Sequence, residues 1–330
     1  LRDGAPAVHE SGNRVAEDET YERGDVESGF AAADVVVERT YRTPAELHVP
    51  MELHGCVARW DGDELTLWES TQGVYAVQSE VAQALGIALS KLRVVGHYVG
   101  GGFGPKCEAT PLEMSTALLA RHTGKPVKMT YSREQVFLHS RARHQFFAEM
   151  SLGVMKDGTM VALKNKAVLD GGAYTSFGIA TVYYSGSLLG GPYKLKAMKY
   201  DGYRVYNNKP ACGAQRGHGG VAARAAWEQQ LDVIAEELGM DPIELRLKNM
   251  MSAGDVTCND LNMSSLGMKE CIEAVRDGSG WTEKRGKTPK GKGIGMACGF
   301  FVSGAGYPIY RSETYHATVS IHVSEDGGTV

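Results

Sequence analysis

The sequence lacks any pair of cysteines at the spacing that metal sites use. No two of its six cysteines stand as C-x-x-C, which excludes a zinc ribbon and the cysteine runs that ligate iron–sulfur clusters. An iron–sulfur cluster that works with this protein would therefore lie on another chain. The cysteines are Cys56, Cys107, Cys212, Cys258, Cys271 and Cys298.

An excess of charge of one sign is also missing. Lys and Arg number 35 against 39 Asp and Glu, and the formal charge of −4 provides no basic surface for nucleic acid. No apolar run approaches the roughly 20 residues that a membrane-spanning helix needs, and no signal-peptide pattern opens the chain. We therefore expect no nucleic-acid partner, no membrane span and a cytoplasmic protein.

Glycine and apolar residues, by contrast, are abundant. The 330 residues include 41 glycines and are 43% hydrophobic, which is enough for more than one packed subdomain. Alternation predicts a strand over Asp34–Tyr41 and two hairpins, Cys56–Trp60 with Leu65–Trp68 and Phe146–Val154 with Val161–Leu169. We predict a fold of the α+β class, with mixed sheets and packed helices.

Helix signals lie between the strand-like runs. Glycines at Gly124 and Gly239 predict two helix ends, Ser132–Gln135 has the form of a capping box, and Asp241-Pro242 predicts a helix start. Periodic apolar faces support the two helices that end at glycine. The predicted faces are Leu112, Thr116, Leu119 and Ala120 in one helix, and Trp227, Leu231, Ile234 and Leu238 in the other.

The chain divides into three predicted segments. Residues 1–22 form an extended polar segment, 23–285 the first large domain, and 286–330 a linker with the incomplete start of a second domain. Residues 316–323 alternate like a strand and lead into a turn at 324–328, so the sequence stops just inside the return strand of a predicted hairpin. We expect the polypeptide to be a fragment of a longer unit.

Two glycine-rich loops are the candidate ligand sites. The first follows a predicted strand over Lys91–Val99, comprises Gly100–Gly104, and precedes a predicted helix from Cys107; the second runs over Cys212–Gly220 before the long helix and carries Arg216. Backbone N–H groups at helix N-termini would suit an anion. Tight packing explains the glycines equally well, and neither loop is a P-loop or a G-x-G-x-x-G fingerprint.

Residue identity separates these alternatives. Val99–Gly104, Ser70–Gln72 and Gly213–Gly219 resemble, in order, three cofactor-contacting motifs of the xanthine dehydrogenase family. The resemblance runs from Gly24 to Asn249 and so covers most of the chain. It implies a molybdenum-cofactor-binding domain that holds molybdopterin, in the cytosine dinucleotide form, with Mo bound through the pterin dithiolene and no metal ligand from this chain.

The resemblance also implies roles for individual residues. Gln72 would lie near the apical oxo ligand, Gly102 and Phe103 would offer N–H groups at the metal, and Gln215 with Arg216 would hold the pterin. The implied cofactor-binding residues are Gln72, Gly101, Gly102, Phe103, Gly104, Ala214, Gln215 and Arg216.

One branch of the family matches best. Cys107 stands where purine-oxidising members have a substrate-binding Glu, with Glu108 one step later, and His218 stands where they have a Phe. The runs from Gly171 to Leu188 and around Cys212–Gly219 are most similar to 4-hydroxybenzoyl-CoA reductases, whereas the copper-binding loop of carbon monoxide dehydrogenases is not matched.

That resemblance implies reductive removal of a phenolic hydroxyl from an aryl-CoA substrate. Tyr183, Tyr184 and His218 would be the catalytic residues, because phenol and imidazole can donate protons to the substrate oxygen; core packing is the alternative for the two tyrosines. The implied partners are FAD-binding and [2Fe-2S] subunits and a ferredoxin-like electron carrier, in a dimer of heterotrimers.

Three alternatives remain open. The same cofactor could hydroxylate a nicotinate-like heterocycle or an aldehyde with oxygen from water, or the chain could be a scaffold without catalysis. His48, Glu52 and His54 share one face of a predicted strand and could imitate a zinc site, although a structural strand is the favoured interpretation.

The family also places an essential glutamate beside the metal. Glu108, Glu228 and Glu244 do not fit that role from their sequence positions. We therefore expect a segment outside residues 1–330 to complete the active site.

Overall fold

A computed structural model describes residues 4–15 and 18–301, together with Ile321 and Glu325. The predicted hairpin over residues 316–330 lies outside the described residues apart from those two positions. The strands are β1 (Glu19–Arg23), β2 (Val35–Thr43), β3 (Glu46–Leu47), β4 (Gly55–Asp61), β5 (Glu64–Glu69), β6 (Leu92–Val95), β7 (Val127–Thr130), β8 (Ala142–Arg143), β9 (Phe146–Val154), β10 (Met160–Asp170) and β11 (Ala197–Val205).

The helices alternate with these strands along the chain. They are α1 (Val26–Ala32), α2 (Val74–Leu85), α3 (Pro111–Thr123), α4 (Arg133–His139), α5 (Ile179–Ser187), α6 (Gly220–Glu237), α7 (Pro242–Asn249), α8 (Met268–Ser279) and α9 (Trp281–Lys284). Mixed sheets with helices packed against them confirm the predicted α+β class. Within the described part of the chain, no helix has the length and apolar character needed to cross a membrane.

The described residues form two compact units. Unit 1 contains residues 4–46, 144–212 and 217–301; unit 2 contains residues 47–143 and 213–216, with positions 321 and 325. The boundaries after residues 22 and 285 stay predictions.

Unit 1 is built on a five-stranded mixed sheet. Its order is β1-β11-β10-β9-β2, in which β10 and β11 run parallel and the other neighbours antiparallel. Helix α6 lies against β2 and β9, and Trp227, Leu231 and Ile234 are fully buried in the core. Burial of each such side chain contributes roughly 1.5–3 kcal/mol, so this face of α6 anchors the helix to the sheet.

An ion pair is buried in the same core. The Arg246 Nε donates to Glu228 Oε2 at 2.8 Å, and their side chains are 0% and 5% exposed. Tyr193 Oη donates to the other carboxylate oxygen at 3.0 Å, and the Cys298 N–H donates to Glu228 Oε2 at 3.1 Å. Glu228 is therefore committed to a structural network of unit 1.

Unit 2 contains a four-stranded sheet covered by helices α2 and α3. The strand order is β6-β5-β4-β7, with β5 and β6 parallel. Leu65, Leu67, Val77, Val81 and Ala117 are fully buried in its own hydrophobic core. This second core explains why the unit is compact by itself.

Most predicted helix ends agree with the structure. Gly124 ends α3 with φ at +63°, Ser132 and Gln135 form the capping box of α4, and the Asp241 carboxylate accepts the Ile243 N–H of α7. Leu119 is an exception, because 45% of it is exposed although the periodicity placed it on the buried face.

Five of the described helices have no counterpart among the sequence predictions, namely α1, α2, α5, α8 and α9. Two of them matter most for the cores and the site: α2 over Val74–Leu85 and α5 over Ile179–Ser187. The second of these carries Tyr183 and Tyr184, so the missed helix bears directly on the site.

Candidate functional site

The first glycine loop is longer and less regular than predicted. Strand β6 ends at Val95 rather than Val99, and α3 begins at Pro111 rather than Cys107. Thr110 sets that start, because its hydroxyl and Glu113 form a capping box around the first turn. The prediction that the loop amides form a helix N-terminus was therefore wrong for this loop.

The glycines of this loop allow two segments to approach closely. Gly101 and Gly104 have φ values of +98° and +122°, and Phe103, at +65°, also adopts a left-handed conformation. A Cβ built at Gly104 would lie 2.6 Å from the carbonyl carbon of Ala214. Only glycine permits that approach, so the first loop packs directly on the segment 213–216 of the same unit.

Gln72 is held by this loop at one end of its amide. The Gln72 Oε1 accepts the Gly104 N–H at 2.8 Å, and the Gln72 backbone N–H donates to the Lys106 carbonyl at 2.8 Å. The residue is exposed, and its Nε2 donates no hydrogen bond to any described residue. The amide therefore presents two N–H donors to a ligand.

The segment 213–216 is fixed through its backbone. The Gly213 N–H donates to Ala142 O at 3.0 Å, and His48 Nε2 donates to Ala214 O at 2.7 Å. Burial lowers the pKa of His48, which favours the neutral ring with its proton on that donor nitrogen.

Arg216 joins this segment to the first loop. Its N–H donates to Phe103 O at 2.9 Å, and its guanidinium carbon lies 5.3 Å above the centre of the Phe103 ring. Arg143 Nη2 donates to Arg216 O at 2.9 Å. The Arg216 side chain is exposed, so its charge is available to an anionic group.

Gln215 carries the clearest sign of a missing partner. Its Oε1 is buried, and no described residue donates a hydrogen bond to it. Leaving a buried acceptor unsatisfied costs about 1–3 kcal/mol, which a ligand N–H would recover. Acceptor Gln215 Oε1, donor Gln72 Nε2 and cation Arg216 together fit a group that has both ring N–H donors and anionic oxygens, as molybdopterin has.

The three predicted catalytic residues cluster in unit 1. Tyr184 on α5 is 5% exposed, and its ring centre lies 5.5 Å from that of His218 and 5.7 Å from that of Tyr183. Phe301 closes another side of Tyr184 at 5.8 Å. The sequence prediction that these three side chains work together is consistent with this cluster, although their catalytic role stays a prediction.

The zinc alternative finds no support in these contacts. His48 binds Ala214, Glu52 binds Lys106, and His54 packs 6.0 Å from the Tyr131 ring. Burial, followed by the positive charge of Lys106, lowers the pKa of His54 to about 4. Within the residues that the structure describes, no three His, Cys, Asp or Glu side chains are arranged to hold a metal ion.

The residues beside the first loop also have defined environments. Burial raises the pKa of the Cys107 thiol to about 11, so it is protonated at neutral pH. The Glu108 carboxylate forms an ion pair with Arg141 at 3.1 Å, so its charge is balanced within unit 2. His48, Glu52 and Lys106 contact the two loops. The strand that was predicted to carry His48 and Glu52 is absent, because residues 48–54 form the connection between β3 and β4.

Comparison with known proteins shows the family of the chain. A family model described as "Molybdopterin cofactor-binding domain" matches residues 8–250. The chain is 34% identical over 310 residues to the putative xanthine dehydrogenase molybdenum-binding subunit XdhA of Escherichia coli (strain K12), with coverage of 92% of this chain and 41% of that protein. It thus spans less than half of that relative.

Two further similarities complete the picture. The chain is 35% identical over 279 residues to the nicotinate dehydrogenase large molybdopterin subunit of Eubacterium barkeri, which covers 84% of this chain and 65% of that subunit. The solved aldehyde oxidoreductase from Desulfovibrio gigas superposes with a TM-score of 0.82 at 27% identity, over 88% of this chain and 32% of that one.

Proposed function

Because the chain belongs to the molybdopterin cofactor-binding domain family, we propose that the glycine loop, Gln72 and the segment 213–216 bind molybdopterin for an oxidoreductase. The buried and unpartnered Gln215 Oε1 is the observation that carries the proposal. The cofactor, when bound, would supply two-electron oxidation and reduction at molybdenum. The cytosine dinucleotide form is part of the same proposal.

The residues of this chain would bind and orient that group. Gln72 Nε2 would donate to an oxygen at the metal, Gln215 Oε1 would accept a pterin N–H, and Arg216 would face an anionic oxygen. The main-chain N–H groups of Gly102 and Phe103 would add donors, and their use would not require any side chain to lose rotamer freedom.

In unit 1, Tyr184 and His218 would hold the reacting oxygen of an aromatic substrate. Both can donate a hydrogen bond, and Tyr183 with Phe301 would restrict water around them. For reductive dehydroxylation of an aryl-CoA, the aryl C–O bond breaks, and two electrons and two protons yield the arene and water. A ferredoxin-like carrier would supply those electrons through [2Fe-2S] and FAD subunits of a cytoplasmic dimer of heterotrimers.

A second candidate reaction reverses the electron flow. The nicotinate dehydrogenase relative supports hydroxylation of an N-heterocycle, in which water supplies the oxygen and two electrons and two protons leave. The xanthine dehydrogenase and aldehyde oxidoreductase relatives are compatible with the same direction.

The test uses the assembled enzyme that contains this chain. Metal analysis should find one Mo per copy, and anaerobic assays should compare 4-hydroxybenzoyl-CoA plus a low-potential reductant with nicotinate plus an artificial electron acceptor. Turnover of the thioester supports dehydroxylation, and turnover of the heterocycle supports the second candidate. An assembly without Mo would refute both reactions and favour a non-catalytic scaffold.

A further inference from the structure

Lys106 is a buried cation directly behind the first glycine loop. Its side chain is 0% exposed, and an ammonium has three protons to donate. All three acceptors that these protons need are present: Glu52 O at 3.1 Å, Glu52 Oε2 at 3.0 Å and Ser70 Oγ at 2.7 Å. The charge is therefore fully hydrogen-bonded, which a buried ammonium requires.

Glu52 in turn holds the first glycine of the loop by both of its backbone groups. The Glu52 N–H donates to Gly100 O at 3.0 Å, and its Oε2 accepts the Gly100 N–H at 2.8 Å. The same oxygen accepts the Ser70 hydroxyl. Burial raises the pKa of Glu52, but the hydrogen bonds from Ser70, Lys106 and Gly100 outweigh it, and the pKa is lowered overall.

The contacts of Lys106 continue to the far end of the loop. Its carbonyl accepts the Gln72 N–H at 2.8 Å and the Thr71 hydroxyl at 3.0 Å. Gln72 Oε1 then accepts the Gly104 N–H at 2.8 Å. The chain of contacts closes a ring from Gly100 through Glu52, Lys106 and Gln72 to Gly104.

We propose that Glu52 and Lys106 are positioning residues that set the conformation of the glycine loop and the direction of the Gln72 amide. This inference rests on the proposed function, in which the Gln72 amide donates to the cofactor. The Lys106 side chain is fully buried and the Glu52 side chain is 37% exposed, so the desolvation cost of the pair falls mainly on the ammonium. Such a pair can often be replaced by apolar side chains without loss of stability. Folding alone therefore does not explain an ion pair here, whereas an apolar side chain could not accept the Gly100 N–H.

The experiment compares Lys106→Met, Glu52→Met and the double variant with the wild-type enzyme. The matched control is the exposed pair Lys91–Glu64 of the same unit, 3.4 Å apart, changed to Lys91→Met and Glu64→Gln. Hydrogen exchange over residues 99–106 is measured on the assembly produced without molybdate, and the Mo(V) electron paramagnetic resonance spectrum on the loaded enzyme. Urea midpoints report stability.

Glu52→Met should lower the urea midpoint more, because it leaves the buried Lys106 ammonium without its partner, whereas Lys106→Met leaves a Glu52 carboxylate that is 37% exposed. The double variant should recover the midpoint, yet exchange the loop amides at least about tenfold faster, as expected for loss of a hydrogen bond to a charged acceptor. Its Mo(V) spectrum should stay altered. The single variant Glu52→Gln keeps an acceptor for the Gly100 N–H and should therefore show slow exchange of the loop amides, as in the wild type. The control variants should leave both the amide exchange and the Mo(V) spectrum unchanged.

A double variant with wild-type exchange and a wild-type Mo(V) spectrum would overturn the positioning role. If its urea midpoint also recovered, the ion pair would be purely structural. Absence of Mo from the wild-type assembly would refute the proposed function instead, and the exchange measurement on the cofactor-free assembly would still decide whether the pair orders the loop.

Discussion

Replacing Gly104 by alanine should separate the two segments that form the candidate cofactor site. At φ +122° an L-residue is strained, at a cost of about 1–3 kcal/mol. The new Cβ would lie 2.6 Å from the Ala214 carbonyl carbon and closer still to its oxygen, where ordinary contact begins at 3.4 Å, so one segment must retreat by at least about 0.8 Å. That shift would weaken the Gly104–Gln72 and Arg216–Phe103 hydrogen bonds, each worth about 1 kcal/mol.

The expected loss for Gly104→Ala is therefore about 3–5 kcal/mol of unfolding free energy from these contributions, with loss of bound Mo. Gly124→Ala is the matched control, because φ is +63° there and no atom lies within 4 Å of the added Cβ. It should cost only about 1 kcal/mol and keep the metal. Urea unfolding and metal analysis measure both effects. Equal losses in the two variants would show that the approach to Ala214 carries no weight.

Three further predictions follow from individual side chains. Burial raises the pKa of Glu69 from 4.5 to about 9. Between these pH values unfolding releases a proton, so the free energy of unfolding falls as pH rises, by up to about 1.4 kcal/mol per pH unit. Glu69→Gln should flatten this slope in urea titrations from pH 5 to 9, and an unchanged slope would contradict the assignment. Arg216→Ala should reduce Mo content more than Tyr184→Phe does, because it removes a charge rather than one hydroxyl; equal Mo contents would reverse that ordering. Arg246→Met should lose about 3–5 kcal/mol by stranding the Glu228 carboxylate, and adding Glu228→Gln should recover most of it; additive losses in the double variant would rule out direct coupling.

Local signals were sufficient for the parts of the fold that are capped locally. Gly124, the Ser132–Gln135 box and Asp241-Pro242 act within one turn of their own helices, so the sequence contains the whole interaction. The hairpin of β9 and β10 was predictable for the same reason, because its turn and its alternation are adjacent in the chain.

Helix α5 could not be predicted from its own residues. Apart from Ala180, Ile179–Ser187 consists of β-branched, aromatic, serine and glycine residues, all of low helix propensity. Packing against α6 and β11 makes it a helix, and such contacts join distant parts of the chain. Helix α2 was more accessible, since Val77 and Val81 recur at helical spacing and are buried.

The candidate site shows the same division. Gln72, the glycine loop and Gln215 with Arg216 were predicted because short motifs carry them. The Lys106–Glu52 ion pair was not predicted, because 54 positions separate the two residues and no sequence pattern around either of them indicates an ion pair. Their role became visible only when the fold placed the ammonium beside the carboxylate.

The packing of Gly104 against Ala214 has a consequence for biosynthesis. The two residues belong to one unit but are 110 positions apart in the chain, and a ribosome adds about 5–20 residues per second. The glycine loop therefore waits roughly 5–20 s for the segment that it packs against. Until residues 213–216 have emerged, the candidate site lacks one of its two segments, and a cofactor that contacts both segments can be inserted only late in synthesis or after it.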